Sequence, residues 1–237
     1  MTARTSPLLA RPFLTALAVV AAALLVVAGL LLGSALAAPA GAATPTEDSV
    51  DAGFARDMQV HHGQAVEMSV MVRERSDDPT LRQIALDILL TQQNQQGQMA
   101  GWLQLWGLPQ TSTQPIMGWM SGPFADSMTG MPGMEMAEDE AAGGADEPAG
   151  NPMEAMGLAT QEQMTALRDA DGVEAERIYL QLMIPHHVGG VQMAEVAQQQ
   201  ADQPQVRRLA TSMVNAQSFE ITVLQDLLDA CGGPVGL

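Results

Sequence analysis

The sequence predicts an all-α protein: a four-helix bundle made from two copies of one helical hairpin, joined by a long Met-rich insert and a short extra helix. Three observations carry this. First, shifting the chain by 125 residues aligns 51–109 with 176–234 without a gap, and 13 of the 59 paired positions are identical. The identities fall on rare or punctuating residues, among them Met58/Met183, His61/His186, His62/His187, Met68/Met193, Pro79/Pro204, Arg82/Arg207 and Gln92/Gln217, which marks a duplicated unit. Second, each copy carries two apolar stripes at spacings of three and four, the signature of a helix with one buried face. Third, both copies break between stripes at the same place, in "SDDPT" and "ADQPQ". No single amphipathic hairpin can bury its stripes alone, so two hairpins pair into a bundle.

Taken in order, residues 1–43 read as an export segment. Arg4 and Arg11 precede an apolar run from Phe13 to Leu32, and Ala35-Leu36-Ala37 fits a small-x-small cleavage site. The run is also long enough to serve as an uncleaved membrane anchor. Either outcome places the remainder outside the cytoplasm, in the periplasm or on the outer face of the cell membrane. Residues 44–109 form the first hairpin. Phe54, Met58, His61, Ala65, Met68 and Val72 share one face; Asp78 caps the next helix and Pro79 suits its first position. The second stripe runs Leu81, Ile84, Ala85, Ile88, Leu89, Gln92, Met99, Leu103 and Trp106, and Gly107 with Pro109 stops it.

Residues 110–156 differ in composition. They are rich in Gly, Pro, Met and acidic residues, lack aliphatic periodicity and read as a mobile insert carrying Met128, Met131, Met134 and Met136. Residues 157–234 resume the pattern. Thr160 with Gln163 forms a capping box for a short helix from about Gln161 to Asp169. The second hairpin then repeats the stripes, with Tyr179, Met183, His186, Gly190, Met193 and Ala197, followed by Leu209, Met213, Gln217, Glu220, Leu224 and Leu228. These two parts make one bundle domain with residues 44–109.

Composition removes several function classes. The net charge is −17 and every basic residue is Arg, which argues against nucleic acid, whose phosphates need a basic face. Cations suit such a surface better. The single Cys231 excludes an intramolecular disulfide and a cysteine zinc cluster; its repeat partner is Trp106, so it reads as a packing residue. No phosphate-binding glycine loop, zinc motif or Ser/His/Asp arrangement is present to support hydrolytic or nucleotide chemistry.

All four histidines of the chain stand in two adjacent pairs between methionines, "MQVHHGQAVEM" and "MIPHHVGGVQM". On a helix, Met58, His61 and His62 lie on or near one face, with His62 about 100° round from His61. Counting from the turn, Gln92 and Gln95 come level with His61 and His62, and Gln217 and Glu220 with His186 and His187. Both hairpins thus set polar groups on apolar stripes at one height, which is costly unless they are paired or liganded. Thioether sulfur with imidazole favours Cu(I), and to a lesser degree Cu(II) or Ag(I), and thioethers survive an oxidising compartment. Ligating histidines need orienting partners, a role open to Gln92, Gln217 or Glu220. The Met-rich insert, with Met128, Met131, Met134 and Met136, suggests accessory metal capture. Pro185 removes an amide donor just before His186 and suggests a kink with room for a ligand.

The pattern Asp51-x-x-Phe54-x-x-x-Met58-x-x-His61-His62-x-x-x-x-x-Met68, the intervening "MGLATQEQMTAL", and the second "MIPHH" with Gln217-x-x-Glu220-Ile221 resemble the exported family called domain of unknown function 305. The resemblance covers roughly Asp51 to Leu228. It implies a ferritin-like helical bundle, and the family includes a periplasmic copper-binding protein linked to copper resistance. By resemblance the candidate copper ligands are Met58, His61, His62, Met68, Met183, His186, His187 and Met193. One departure stands out: family members usually read Gln-x-x-Glu-Ile in both halves, whereas the first half here has Gln92 followed by Gln95-Gln96.

Three functions are consistent with these residues. The first is a copper-binding protein outside the cytoplasm that buffers, sequesters or transfers Cu(I) to other copper-handling proteins. The second is a copper oxidase; a di-iron version is excluded by the lack of a Glu three residues before any histidine. The third is a structural or partner-binding helical domain whose histidines are hydrogen-bonded core. Non-catalytic copper binding is the expected function. Oligomeric state is open, and the membrane enters only through an uncleaved anchor.

Overall fold

Local signals start and stop the helices where the sequence places them. In the computed structural model, which describes residues 43–120 and 152–236, Ser49 accepts from the Ala52 amide and opens α1, Val50–Arg75. Asp78 accepts from the amides of Thr80 and Leu81 and opens α2, Pro79–Trp106, which ends at Gly107 in the left-handed conformation, φ 71°. A single helical turn at Pro152–Ala155 leads to α3, Gln161–Asp169, with the expected reciprocal capping box of Thr160 and Gln163. Two more long helices follow, α4 over Gly172–Gln200 and α5 over Pro204–Ala230. Residues 1–42, read from the sequence as part of an export segment, and Met128, Met131, Met134 and Met136 lie outside the described residues. Among the described residues no helix is long and apolar enough to cross a membrane.

The chain is all-helical among the described residues. Each hairpin is antiparallel, and the two meet through their first helices: α1 packs on α2 and on α4, and α4 on α5. Reciprocal bonds at the ends show how. Asp51, at the start of α1, accepts from the amides of Asp202 and Gln203 at 3.0 and 2.9 Å, in the turn of the other hairpin. Glu176, its repeat partner at the start of α4, accepts from the Ser76 hydroxyl at 2.6 Å in the first turn. Helices α1 and α4 therefore run antiparallel, and the repeat is expressed as a local pseudo-twofold axis. The identity of Arg82 and Arg207 has the same cause: each guanidinium donates to two carbonyls at the C-terminus of the preceding helix, Arg73 and Ser76 or Ala201 and Asp202, where the helix leaves acceptors without partners.

The apolar core falls into two clusters. One holds Phe54, Met58, Met99, Leu103, Met193, Val206 and Met213. The other holds Met68, Val72, Leu81, Ile88, Tyr179, Met183, Leu224 and Leu228. The stripes read from the sequence supply about half of the two clusters; the rest comes from neighbouring positions on the long helices and from the connections, among them Met120, Met156, Leu158, Met164 and Leu167. Burial of apolar area on this scale is the main stabilising contribution.

Two connections also pack on the inner helices. Residues 110–120, assigned by composition to the mobile insert, lie along α1. The Asp57 carboxylate accepts from the Met117 amide at 2.7 Å and the Trp119 indole at 2.8 Å. The Trp119 ring meets Phe54 edge to face at 5.9 Å and rests on Gly53, where a Cβ would overlap it. Ahead of α3, the Gln64 side chain bonds both the amide and the carbonyl of Ala159, at 2.7 and 2.9 Å.

Candidate metal centre

Helical spacing puts His61 and His62 on α1 and His186 and His187 on α4, and the antiparallel packing brings the pairs to one level. All four rings are fully buried. His61 and His186 stack across the pseudo-twofold axis with centroids 3.6 Å apart and planes 32° from parallel. Each reaches over to the other helix: His61 Nε2 lies 2.9 Å from the His186 carbonyl oxygen, and His186 Nε2 lies 2.9 Å from that of His61. A carbonyl only accepts, so both rings carry their proton on Nε2. The outer pair behaves alike. His62 Nε2 donates to Gln95 Oε1 at 2.7 Å, and His187 Nε2 to Glu220 Oε2 at 2.8 Å.

This fixes the other nitrogen. The Nδ1 atoms of all four histidines are buried without a hydrogen-bond partner, and a proton on any of them would find no acceptor. They are bare lone pairs. Leaving a buried acceptor unpaired costs roughly 1–3 kcal/mol, and the fold bears that cost four times in one layer. Burial, and then the neighbouring histidines, hold His61 and His186 well below their ordinary pKa. Burial lowers His62 to about 4, against the opposing effect of its hydrogen bond to Gln95. These three rings are thus neutral at physiological pH, the form in which imidazole binds metal.

The orienting residues are Gln95 and Glu220, which the repeat pairs with one another. Gln92 and Gln217, expected for the same role, bond none of the histidines. Both are buried, at 2% and 3% exposure, and Gln92 Oε1, Gln92 Nε2 and Gln217 Oε1 have no partner. The hydrogen-bond partners of the outer histidines therefore differ: an amide oxygen faces His62 where a carboxylate faces His187.

Met58, Met68, Met183 and Met193 are all fully buried. Met58 and Met183 stand one turn from the histidines of their helices, Met68 and Met193 about two turns on the other side. Antiparallel packing pairs them across the axis: Met58 shares a cluster with Met193, and Met68 with Met183. The eight expected ligands thus form one histidine layer flanked by two methionine pairs. Among the described residues no three His, Cys, Asp or Glu side chains converge as a metal centre; the donors that accompany the imidazoles in this layer's surroundings are the thioethers. Neutral imidazole nitrogen with thioether sulfur fits a soft cation of low charge.

Close backbone approach, not read from the sequence, shapes the surroundings. A Cβ on Gly189 would overlap the Met156 carbonyl, and one on Gly157 (φ 72°) the Pro185 carbonyl. The room that Pro185 was expected to open is filled by the chain's own Met156–Gly157 segment. Gly189→Ala should therefore lose about 1–3 kcal/mol despite alanine's better helix propensity, read as a lower thermal midpoint. An unchanged or raised midpoint would contradict the close approach.

The family model Domain of unknown function (DUF305) matches residues 51–228. Among solved structures, a protein of that family from Streptomyces coelicolor, described as secreted, is 43% identical with a TM-score of 0.64, covering 81% of this chain and 99% of its own. A fragment from Deinococcus radiodurans is 28% identical with a TM-score of 0.56, over 78% of this chain and 97% of the fragment. CopM in its Cu(I)-bound form shares the fold at 21% identity and a TM-score of 0.51, over 77% of this chain and 98% of that one. A comparison with curated proteins finds no match.

Proposed function

We infer that this chain, which belongs to the domain-of-unknown-function-305 family, is an exported protein that binds Cu(I) and buffers, sequesters or hands on the ion. The observation that carries the reading is the layer of four buried imidazoles with bare Nδ1 atoms, flanked by four buried thioethers. Such donors need no deprotonation, so a monovalent ion brings only a single positive charge into the core. The split of the methionines suggests two positions, one drawing on Met58 and Met193, the other on Met68 and Met183, each completed by histidine. Gln95 and Glu220 hold His62 and His187 in the ligating tautomer.

Two likenesses support the reading. CopM, which shares the fold, has been crystallised with Cu(I) and with Ag bound, and a relative from Streptomyces coelicolor is described as secreted. Export agrees with the apolar N-terminal segment. Met128, Met131, Met134 and Met136 would capture ions ahead of the bundle.

An anaerobic Cu(I) titration of residues 44–237 against a competing chelator tests this, beside a variant with His61, His62, His186 and His187 changed to Ala. Tight binding lost in the variant supports the bundle site. Binding unchanged in the variant would move copper to the insert methionines. Absence of binding by either would leave a structural helical domain.

A further inference from the structure

The four histidines and the four methionines beside them in the bundle are buried, so an ion must reach them through some opening. A narrow crevice lies between α2 and α5, the two helices that do not pack closely on each other. Its walls carry Thr91, Gln92 and Gln95 from α2 and Met213, Gln217 and Glu220 from α5. Ile88 and Ala216 complete the lining, and every α2 residue in it has its repeat partner there too: Ile88 and Met213, Thr91 and Ala216, Gln92 and Gln217, Gln95 and Glu220. The crevice therefore straddles the same pseudo-twofold axis on which His61 and His186 stack.

Its floor touches the histidine layer at three points. Gln95 and Glu220 bond His62 and His187. Gln217 Oε1 and the His61 ring crowd the same spot beside Gly190, where a Cβ would overlap the one and sit 3.0 Å from the other. The lining also holds the three unpartnered amide atoms of Gln92 and Gln217 and the buried thioether of Met213. Buried polar atoms without partners are uncommon in folded proteins. Glu220, 28% exposed in its side chain, adds a carboxylate within the crevice. This set of groups suits a soft cation shedding water: a carboxylate to offset its charge, amide oxygens to replace its hydration, and a thioether sulfur to ligate it.

We propose that the crevice between α2 and α5 is the port through which Cu(I) enters and leaves the histidine layer, with Gln92, Gln217 and Met213 as transient donors. The proposal rests on the copper-binding reading and assigns its route. It makes exchange rate, not affinity, the property that the crevice controls. Met213 is the one thioether in the lining; the first hairpin has Ile88 there, so the route is sulfur-lined on the α5 side.

The test is stopped-flow transfer of Cu(I) from a coloured chelator complex to the full chain. A doubly plugged variant, Thr91→Trp with Ala216→Trp, is expected to load at least tenfold more slowly, with equilibrium affinity within twofold of wild type. Thr91 is exposed, so Thr91→Trp alone keeps the fold and should slow loading by a smaller factor if the double variant fails to fold. Leu105→Trp, on the same helix at an 83% exposed position, should load at the wild-type rate. Wild-type loading by the plugged variants overturns the port while leaving copper binding intact. Failure of the wild-type chain to take up Cu(I) at all overturns both.

Discussion

Acidification from pH 7.5 to pH 4 is expected to unfold the metal-free bundle. His61, His62 and His186 have folded pKa values below the unfolded value of about 6.5. At pH 7.5 they are neutral in both states and impose no proton-linked penalty. As pH falls through 6.5 the unfolded chain takes up protons that the buried rings refuse, so stability falls with falling pH. The loss continues until the folded pKa is reached, about 4 for His62; burial and the neighbouring histidines hold the stacked pair well below its ordinary value as well. Each histidine contributes up to about 1.4 kcal/mol per pH unit in this window. Three groups titrating together make this slope a large fraction of a total stability on the order of 5–15 kcal/mol. Urea midpoints followed by circular dichroism from pH 7.5 to 4 measure this; a flat midpoint would contradict the buried neutral layer. Bound Cu(I) should shift the acid transition downward, because ligation and protonation compete for Nδ1.

The second large effect separates packing from ligation. Changing Met58, Met68, Met183 and Met193 together to Leu removes four thioethers from fully buried positions while conserving volume. Swaps of this kind usually cost under about 1.5 kcal/mol each, and the sites are spread over two clusters, so the helical content should survive. Cu(I) affinity, in contrast, should fall by roughly a hundredfold or more, since even residues that merely orient a ligand cost 10–100-fold when changed. If the methionines only fill space, the quadruple variant will bind as the wild type does.

How much of this was legible beforehand depends on range. The stripes, the caps at Asp78 and Thr160 and the five helices are set by neighbours within a few residues, and periodicity and turn chemistry read them directly. The level of Gln95 and Glu220 beside His62 and His187 also followed, because counting back from a tight turn fixes height in an antiparallel hairpin. The assignment of Gln92 and Gln217 to the same role did not match their contacts. They share the height, but at one helical level only rotation decides which side chain meets the ring. The tautomers were illegible for a related reason: the stacked histidines bond carbonyls of the other hairpin, a contact set by the pseudo-twofold axis. Trp119 lying along α1, and Met156–Gly157 wedged against Gly189, depend on contacts over 30–65 residues. Composition described the insert as a whole and could not show where it leaves the bundle.

The difference between the two histidine partners, Gln95 against Glu220, was visible in the sequence and acquires a chemical meaning in the structure. A carboxylate behind an imidazole raises the basicity of the ligating nitrogen more than an amide does. If each half serves one ion, the two are not equivalent.

The most direct test of the central claim is X-ray absorption at the copper edge on the Cu(I)-loaded chain. Mixed coordination, with thioether sulfur and imidazole nitrogen on the same ion, is the predicted result, and it should revert toward sulfur alone when the four histidines are changed. A spectrum with sulfur and no imidazole in the wild-type chain would place the copper outside the histidine layer and contradict the account.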